Sequence, residues 1–308
     1  MKITAKELYE RQKWTLAQKI DHSLATIDQF IAKTDGKVYL AFSGGKDSTV
    51  LMHLCEILKK DIPCVFVNTG CEYPDIVRFV NECKEEHNII IRPKSRPKDV
   101  WAKYGFPLVS KETAENVHSI RTNPDSIKSK KALGILNPDS QFVLSKRWRY
   151  LIKEPYDTSN KCCQILKKNP SHQFQKETGL FPIIGVMASE SLLREKIYIR
   201  RGGCNVWGEN ANSHPLSIWT DDDIWQFIRE NRIKIADIYS KGAQRTGCVA
   251  CGFGCQFKHD ARLQLLYQTY PKYYELIMNF ENHGVKYRTA LRKMLAMNGL
   301  LLPDEKLF

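Results

Sequence analysis

A short segment after an apolar run carries the residue types that bind phosphate. Its two adjacent glycines allow backbone conformations with positive φ and a close approach to a ligand. A helix is predicted to begin within the segment, and its first N–H groups would point at a bound anion. One lysine adds a positive charge, and two serines add hydroxyl donors. The segment consists of Ser43, Gly44, Gly45, Lys46, Asp47 and Ser48.

Five cysteines stand in two groups whose spacing is typical of metal ligands. The first group is an adjacent pair, and the second follows the pattern Cys-x-x-Cys-x-x-x-Cys. Zinc and iron–sulfur clusters prefer thiolate ligands, so the sequence predicts a thiolate-held metal centre. A redox-active dithiol and inert buried thiols are the alternatives. Cys55 and Cys64 fall in apolar patterns typical of a core, whereas Cys71 follows a predicted strand end. The five candidate ligands are Cys162, Cys163, Cys248, Cys251 and Cys255.

Apolar runs that alternate with helical patterns must position these two groups of residues. Such alternation predicts an α/β fold with a parallel twisted sheet and helices on both faces. Helical segments are expected at the N-terminal and C-terminal ends. The predicted strands cover residues 38–42, 64–68, 89–91 and 181–186, and the predicted helices cover 1–35, 47–59, 74–86, 220–230 and 260–300.

Three regions follow from this pattern. Residues 1–35 form an N-terminal helical segment, residues 36–245 form the nucleotide-binding α/β domain, and residues 246–308 carry the cysteine cluster and the C-terminal helices. The region 92–160 has only weak periodicity. Its elements are therefore left unassigned, except that the basic segment 128–131 is expected to be an exposed loop or a short helix.

The charge balance and the length of the apolar runs limit the classes of protein to which this chain can belong. The chain has 308 residues, with 47 lysines and arginines against 34 aspartates and glutamates, a net charge of +13. Its longest apolar run spans residues 180–188, far short of the roughly 20 residues that cross a bilayer. We therefore expect a cytoplasmic protein without a membrane partner. The positive charge favours phosphate-rich ligands, which leaves both nucleotides and nucleic acids open.

The phosphate segment resembles the PP-loop of the ATP-pyrophosphatase-like superfamily, whose fold is that of the adenine nucleotide alpha hydrolases. That resemblance implies an adenine nucleotide at the carboxyl ends of the strands. Most members split ATP to AMP and pyrophosphate and so activate an oxygen as its adenylate. For this chain it implies phosphate contacts from residues 43–48, catalytic roles for Lys46, Asp47 and Arg194, and Mg²⁺ held with the help of Asp47.

Further segments are similar to the phosphoadenylyl-sulfate reductase branch, and they occur in family order between residues 37 and 255. They include an Asn-Thr-Gly segment, in which asparagine replaces the family's aspartate, and a Gly-x-x-x-x-Glu-Ser-x-x-Arg segment. Members of this branch bind an already adenylylated sulfate, so ATP and an adenylyl sulfate are both candidate ligands. The segments add four nucleotide contacts: Asn68, Thr69, Gly70 and Gly185.

The cysteine groups resemble the segments that hold a [4Fe–4S] cluster in adenylyl-sulfate reductases. This resemblance favours the cluster over zinc. The reductase pattern uses the adjacent pair with Cys248 and Cys251, whereas related PP-loop proteins use one upstream cysteine and a triple group. The fourth ligand is therefore Cys163 or Cys255.

Two departures from the reductase pattern bear on the reaction. No cysteine follows Cys255, although the reductases attack sulfur with a C-terminal cysteine, and Met187 stands where the family has an arginine. The leading hypothesis is therefore an ATP-using enzyme of sulfur transfer or sulfur metabolism. Thiol-dependent reduction of an adenylylated sulfate is one alternative, and a component of a DNA or tRNA sulfur-modification system is the other. A sulfur donor, a thioredoxin-like protein and a second copy of the chain are the further candidate partners.

Overall fold

The computed structural model describes residues 3–83 and 88–305. The chain divides into two compact units. Unit 1 comprises residues 1–68, 74–91 and 171–239, and unit 2 comprises residues 69–73, 92–170 and 240–308. These boundaries differ from the predicted ones, because residues 92–170 group with the C-terminal segment.

Helices and strands alternate through the first hundred residues, and helices predominate afterwards. The helices are α1 Ala5–Gln12, α2 Leu16–Lys33, α3 Lys46–Ile57, α4 Pro74–Glu82, α5 Pro97–Tyr104, α6 Lys111–Thr122, α7 Ile127–Leu133, α8 Lys161–Cys163, α9 Asn169–Thr178, α10 Leu192–Arg201, α11 Asp221–Glu230, α12 Arg262–Thr269, α13 Pro271–Met278 and α14 Tyr287–Ala296. The strands are β1 Val38–Ala41, β2 Cys64–Val67, β3 Asn88–Ile91, β4 Leu108–Val109, β5 Phe181–Ile184, β6 Asn205–Val206, β7 Asn212–Ser213, β8 Gly252–Phe253, β9 Glu281–Asn282 and β10 Val285–Lys286. Among the described helices, none is long and apolar enough to cross a membrane.

The core of unit 1 is a six-stranded sheet in the order β3-β2-β1-β5-β7-β6. All neighbouring strands are parallel except β6, which runs antiparallel to β7. Helices lie between the strands along the chain, and α2 and α11 both contact α3. The predicted α/β fold with a mostly parallel sheet is confirmed. The predicted helix 74–86 ends at Glu82, and residues 84–87 lie outside the described part of the chain.

The N-terminal helices of unit 1 are fixed by their caps and by one buried ion pair. Thr4 and Thr15 each form a capping box, with Glu7 and Gln18 respectively. Such reciprocal hydrogen bonds satisfy two of the N–H groups that a helix start leaves unpaired. On α2, Lys19 is buried and its Nζ lies 2.6 Å from Asp223 Oδ2. The pair ties α2 to α11.

Unit 2 is mainly helical and packs around aromatic side chains. The Trp101 ring lies edge-on to Phe106 and Phe280 and 4.7 Å from the Tyr287 ring. The strands β4 and β8 pair in parallel, and β9 and β10 form a short hairpin between α13 and α14. This hairpin interrupts the predicted helical stretch 260–300. Parallel pairing brings the backbone around residue 252 against residue 108, next to the cysteine segment.

Candidate nucleotide-binding loop and cysteine site

The loop after β1 requires a glycine at its second position. Gly44 has φ +69°, a conformation that side chains rarely adopt. A Cβ atom there would lie 2.7 Å from Cγ2 of Val80 and 2.9 Å from Cγ2 of Ile76. The backbone therefore passes directly over α4. This close packing sets the path of the chain from β1 into α3.

Hydrogen bonds between two serines close the loop around the start of α3. Ser43 N donates to Ser48 Oγ at 3.1 Å, and the two hydroxyl oxygens lie 3.0 Å apart. Ser48 Oγ in turn donates to the carbonyl of Gly45 at 2.9 Å, which is the residue that caps α3. The first-turn N–H groups of a helix have no partner within the helix. The loop thus presents the positive end of α3 as an anion site.

Gly185 lies against this helix start from the neighbouring strand. It follows β5, which pairs with β1. A Cβ atom on Gly185 would lie 3.1 Å from Asp47 O and 3.3 Å from Ser48 N. The geometry therefore brings the predicted contact residue Gly185 to the loop, at the carboxyl ends of two adjacent parallel strands.

Lys46 is buried at the N-terminus of α3, with 2% of its surface exposed. Its Nζ donates to Asp47 Oδ1 at 2.8 Å and to Asp221 Oδ1, and it lies 5.7 Å from the centre of the Trp225 ring. Burial by itself lowers the pKa of Lys46, but the charge of Asp47 and the hydrogen bonds to both carboxylates outweigh it, so the net pKa is raised. Lys46 is therefore a fixed positive charge.

Three partners of Lys46 were not found by sequence reasoning. Asp221 and Trp225 lie on α11, and Tyr239 Oη accepts a hydrogen bond of 2.8 Å from Lys46 N. The run of three aspartates at 221–223 is the one sequence feature that could have pointed to these partners. It was not sufficient, because acidic residues are also common in the first turn of a helix. Asp223 completes the capping box with Thr220, which leaves the other two acids for another role.

Other predicted contact residues lie elsewhere. Arg194 pairs with Glu190, and its N–H donates to the capping hydroxyl of Ser191 at the start of α10. Asn68 N donates to Ile91 O at 2.9 Å within the sheet of unit 1. Thr69 and Gly70 belong to unit 2, where Thr69 Oγ1 donates to Glu72 Oε1 at 2.6 Å. A direct nucleotide contact from these four residues stays a prediction.

The adjacent cysteine pair lies at the start of a distorted helix in unit 2. Cys162 and Cys163 occupy α8, and a π-helical turn, Gln164–Lys168, follows directly. The two thiols share a hydrogen bond. A π-helical turn inside a helix is rare and frequently occurs at a functional site. Here it carries Lys167 and Lys168 beside the pair.

The second cysteine group lies on a tight turn that leads into β8. Cys251 N donates to Cys248 O at 3.1 Å. A Cβ atom on Gly252 would lie 2.5 Å from Pro107 O and 2.7 Å from Tyr287 Oη, so only glycine permits this packing against β4. The turn holds the two cysteines of the Cys-x-x-Cys unit on one segment.

The structure brings Cys71 to the same site, which sequence reasoning missed. The Cys71 and Cys248 thiols share a hydrogen bond, and Val249 N donates to Cys71 O at 2.8 Å. The Cys162 thiol interacts electrostatically with Cys248 and Cys251. Five of the six thiols are therefore linked within unit 2, and the sixth, Cys255, interacts electrostatically with Cys251 alone among them. The spacing of Cys71 in the sequence gave no sign of this.

The sixth thiol, Cys255, has other partners. It is buried, and its Sγ donates to Cys251 O at 3.2 Å. The guanidinium of Arg262 lies 3.8 Å from the sulfur and is itself paired with Asp260. Burial raises the pKa of Cys255 to about 12.

Electrostatics divide the thiols into two kinds. The hydrogen bond from Cys162 and the nearby charges of Lys111, Lys167 and Lys168 lower the pKa of Cys163 to about 6, against the opposing effect of burial. The hydrogen bond from Cys71 likewise lowers the pKa of Cys248, whereas burial and the charge of Cys248 raise the pKa of Cys251 to about 12. A lowered thiol pKa is the property of a metal ligand or a nucleophile.

The donor set suits a cluster better than a single ion. Within residues 3–83 and 88–305, no group of three or more His, Cys, Asp or Glu side chains is arranged around one metal ion. In a [4Fe–4S] cluster each thiolate binds a different iron atom, so the sulfurs need not converge on one point. The connected thiols of unit 2 are soft, buried donors of the kind that such clusters use. Their chemistry fits such a cluster, which would use four of them as ligands.

Comparisons with known proteins identify the family of this chain. A family model described as the phosphoadenosine phosphosulfate reductase domain matches residues 37–121 and 111–252. Two uncharacterized proteins of Methanocaldococcus jannaschii are 25% and 24% identical over 283 and 263 residues, or 89% and 82% of this chain. The matches cover 56% and 43% of those relatives, so the chain spans about half their length.

Enzymes of sulfate activation and reduction are also among the similar proteins. Sulfate adenylyltransferase subunit 2 of Shewanella oneidensis is 25% identical over 252 residues, which covers 73% of this chain and 67% of the relative. A crystal structure of phosphoadenylyl-sulfate reductase from Candida auris, a phosphate complex, matches 80% of this chain and 97% of that chain with 15% identity and a TM-score of 0.44. Because the family model covers residues 37–252, which is more than half of the chain, the chain belongs to the phosphoadenosine phosphosulfate reductase family.

Proposed function

We propose that this protein is an adenine-nucleotide enzyme that activates an acceptor oxygen by adenylylation in sulfur transfer or sulfur metabolism. The observation that carries the proposal is the loop itself: a strand, two glycines and a helix start, with a buried lysine that stays charged. This combination suits the triphosphate of ATP. Family membership supports the same nucleotide class.

In the proposed reaction an acceptor oxygen attacks the α-phosphorus of ATP. A new bond forms between that oxygen and phosphorus, the bond from the α-phosphorus to the bridging oxygen breaks, and pyrophosphate leaves. The N–H groups at the start of α3 and the charge of Lys46 would stabilise the negative charge on the phosphates. Ser43 and Ser48 would fix the loop, and Asp47 would hold Mg²⁺ with the phosphates.

The thiols of unit 2 would hold a [4Fe–4S] cluster, with zinc as the alternative. When bound, the cluster would supply a site at which sulfur is bound or delivered. Cys163, whose pKa is lowered to about 6, would be a ligand or a free nucleophile.

A turnover screen of ATP against adenylylated sulfate on anaerobically prepared protein tests the proposal. We expect release of pyrophosphate from ATP. Release of sulfite from adenylyl sulfate in the presence of thioredoxin, without pyrophosphate from ATP, would instead assign the reductase activity. Failure to act on or bind either nucleotide would contradict the proposal as a whole.

A nucleic acid as sulfur acceptor is a second candidate function, and the distribution of charge favours it. Unit 2 has 27 lysines and arginines against 13 aspartates and glutamates, a net charge of +14, whereas unit 1 has 20 against 21, a net charge of −1. Nearly all the excess positive charge therefore belongs to the unit with the cysteines. A single small nucleotide does not require so many cations, but a phosphodiester chain does.

Binding assays at several salt concentrations test this second candidate. We expect the full chain to bind tRNA or double-stranded DNA with an affinity that falls steeply as salt rises, because each neutralised phosphate releases counterions. The two nucleic acids are compared side by side to identify the acceptor class. Binding that is absent at low salt would eliminate this candidate and leave the adenylylation proposal intact.

A further inference from the structure

We propose that Cys71 belongs to the metal-binding thiols of unit 2 and that Cys255 does not. The inference deepens the proposed function, because it rests on the thiolate-held centre described there. Sequence spacing left Cys163 and Cys255 as alternatives for the last ligand and assigned no role at the centre to Cys71. The contacts of the two thiols lead to a different ligand set.

The backbone around Cys71 is fixed against the Cys-x-x-Cys turn. Val249 N donates to Cys71 O at 2.8 Å, which joins the two segments between the ligands Cys248 and Cys251. The N–H of Cys71 donates to Thr69 Oγ1 and to Glu72 Oε2, each at 3.2 Å. Only 4% of Cys71 is exposed. Its side chain is thus held in a defined position beside the turn.

The sulfur of Cys71 is directed at the other thiols. It shares a hydrogen bond with the thiol of Cys248 and also interacts with Cys162. Cys162 in turn interacts with both cysteines of the turn. A buried thiol that contacts one ligand and lies near a second is in the position of a further ligand.

Cys255 has the opposite surroundings. Its thiol proton is donated to the carbonyl of Cys251, and the guanidinium of Arg262 faces its sulfur. A metal ion at this sulfur would have to displace both contacts. The pairing of Arg262 with Asp260 and with the carbonyl of Phe253 holds the guanidinium in place.

Cadmium titration of the anaerobic, chelator-treated full chain tests the assignment. Cd²⁺ is a thiophilic probe whose thiolate complexes absorb in the ultraviolet in proportion to the number of bound sulfurs. We expect Cys71→Ser to reduce this absorbance and to weaken Cd²⁺ binding by at least about tenfold, because loss of an outer contact alone has an effect of that size. Cys255→Ser and the control Cys64→Ser, in β2 of unit 1, should match the wild type.

A second measurement uses the wild-type chain and so does not depend on a variant that folds. Diamide oxidises the metal-free protein: two thiols lose their hydrogens, one S–S bond forms, and diamide takes up two electrons and two protons to become a hydrazine. Peptide mapping should find the disulfide between Cys71 and Cys248. Cd²⁺ added beforehand should prevent its formation.

The outcomes separate this inference from the proposed function. Cys71→Ser with wild-type Cd²⁺ affinity and spectrum, or a loss of binding in Cys255→Ser, would overturn the inference alone. A folded wild type that binds neither Cd²⁺ nor iron and sulfide would remove the thiolate centre as well. Pyrophosphate release from ATP, measured on the same preparation, reports on the nucleotide reaction independently.

Discussion

Buried charged and titratable side chains in unit 1 depend on partners that are distant in the sequence. Lys46 and Asp221 are 175 positions apart, yet they form one ion pair at the loop. Burial of a lysine is tolerated only when its charge is compensated. The two carboxylates beside Lys46 supply that compensation, so the residue keeps its proton.

His214 predicts a measurable dependence of stability on pH. Burial, with the nearby charges of Arg201 and Arg194, lowers the pKa of His214 from its ordinary 6.5 to about 3. Because the unfolded chain binds the proton first, the stability contributed by neutral His214 is present above about pH 6.5 and is lost as the pH falls toward about 3. Between about pH 6.5 and 5, this loss should reach roughly 2 kcal/mol.

Urea unfolding at about pH 7 and pH 5 checks the size of this effect. His214→Asn has no group that titrates in this range, so its stability should change less between the two conditions than that of the wild type. Carboxylates contribute equally to both proteins and cancel in the comparison. Equal losses in the two proteins would mean that His214 is not buried in neutral form.

The residue types at the candidate site could be predicted from the sequence, but their partners could not. The loop residues and the five spaced cysteines stand in local patterns. Asp221, Tyr239 and Cys71 carry no such pattern, because folding alone brings them to their partners. A pairing across more than a hundred residues depends on topology that short-range spacing does not encode.

At the level of elements, the loop between β1 and α3 depends on the conformation and close packing of Gly44. We predict that Gly44→Ala destabilises the protein more than Gly36→Ala. Both positions have positive φ, so both variants lose stability through backbone strain. Of the two, it is Gly44 whose new Cβ atom would lie less than 3.0 Å from side-chain atoms of its neighbours. The additional loss should be about 1–3 kcal/mol.

Urea unfolding of the two variants measures this difference directly. A Cβ atom on Gly36 would have nothing within 4 Å. Gly36→Ala therefore measures the loss of stability that comes from the positive φ alone. Equal losses of unfolding free energy in the two variants would show that α4 shifts to accommodate the new Cβ atom without loss of stability. In that case the path of the loop would not be set by packing against Val80 and Ile76.

Continuous apolar runs allowed four strands of the sheet to be predicted. They correspond to β1, β2, β3 and β5, which are four neighbouring parallel strands at one side of the sheet. The strands β6 and β7 have two residues each, too few for any periodicity to be detected. In the region 92–160, α5 and α6 also escaped prediction, because polar and basic residues dilute the apolar positions that pack inward. The helix α7 covers the basic segment 128–131, for which a loop and a short helix were both expected. Tertiary packing decides such elements.

At the level of the whole molecule, the phosphate loop and the candidate metal ligands belong to different units. Unit 1 contains the phosphate loop and is nearly neutral, and unit 2 contains the cysteines and the excess positive charge. Sequence reasoning found the total charge of +13 but not its partition, because residues 92–170 and 240–308 come together only in the folded chain. This partition makes unit 2 the candidate surface for a polyanionic substrate.

The central claim is that the loop after β1 binds the phosphates of an adenine nucleotide. Calorimetric titration of ATP with Mg²⁺ into the full chain tests it most directly, with Lys46→Ala compared against Lys60→Ala, an exposed lysine of the same unit. We predict that Lys46→Ala weakens binding by at least about tenfold, the loss expected for a charged hydrogen bond of about 1.5–3 kcal/mol, while Lys60→Ala binds like the wild type. Unchanged affinity in Lys46→Ala would contradict the account.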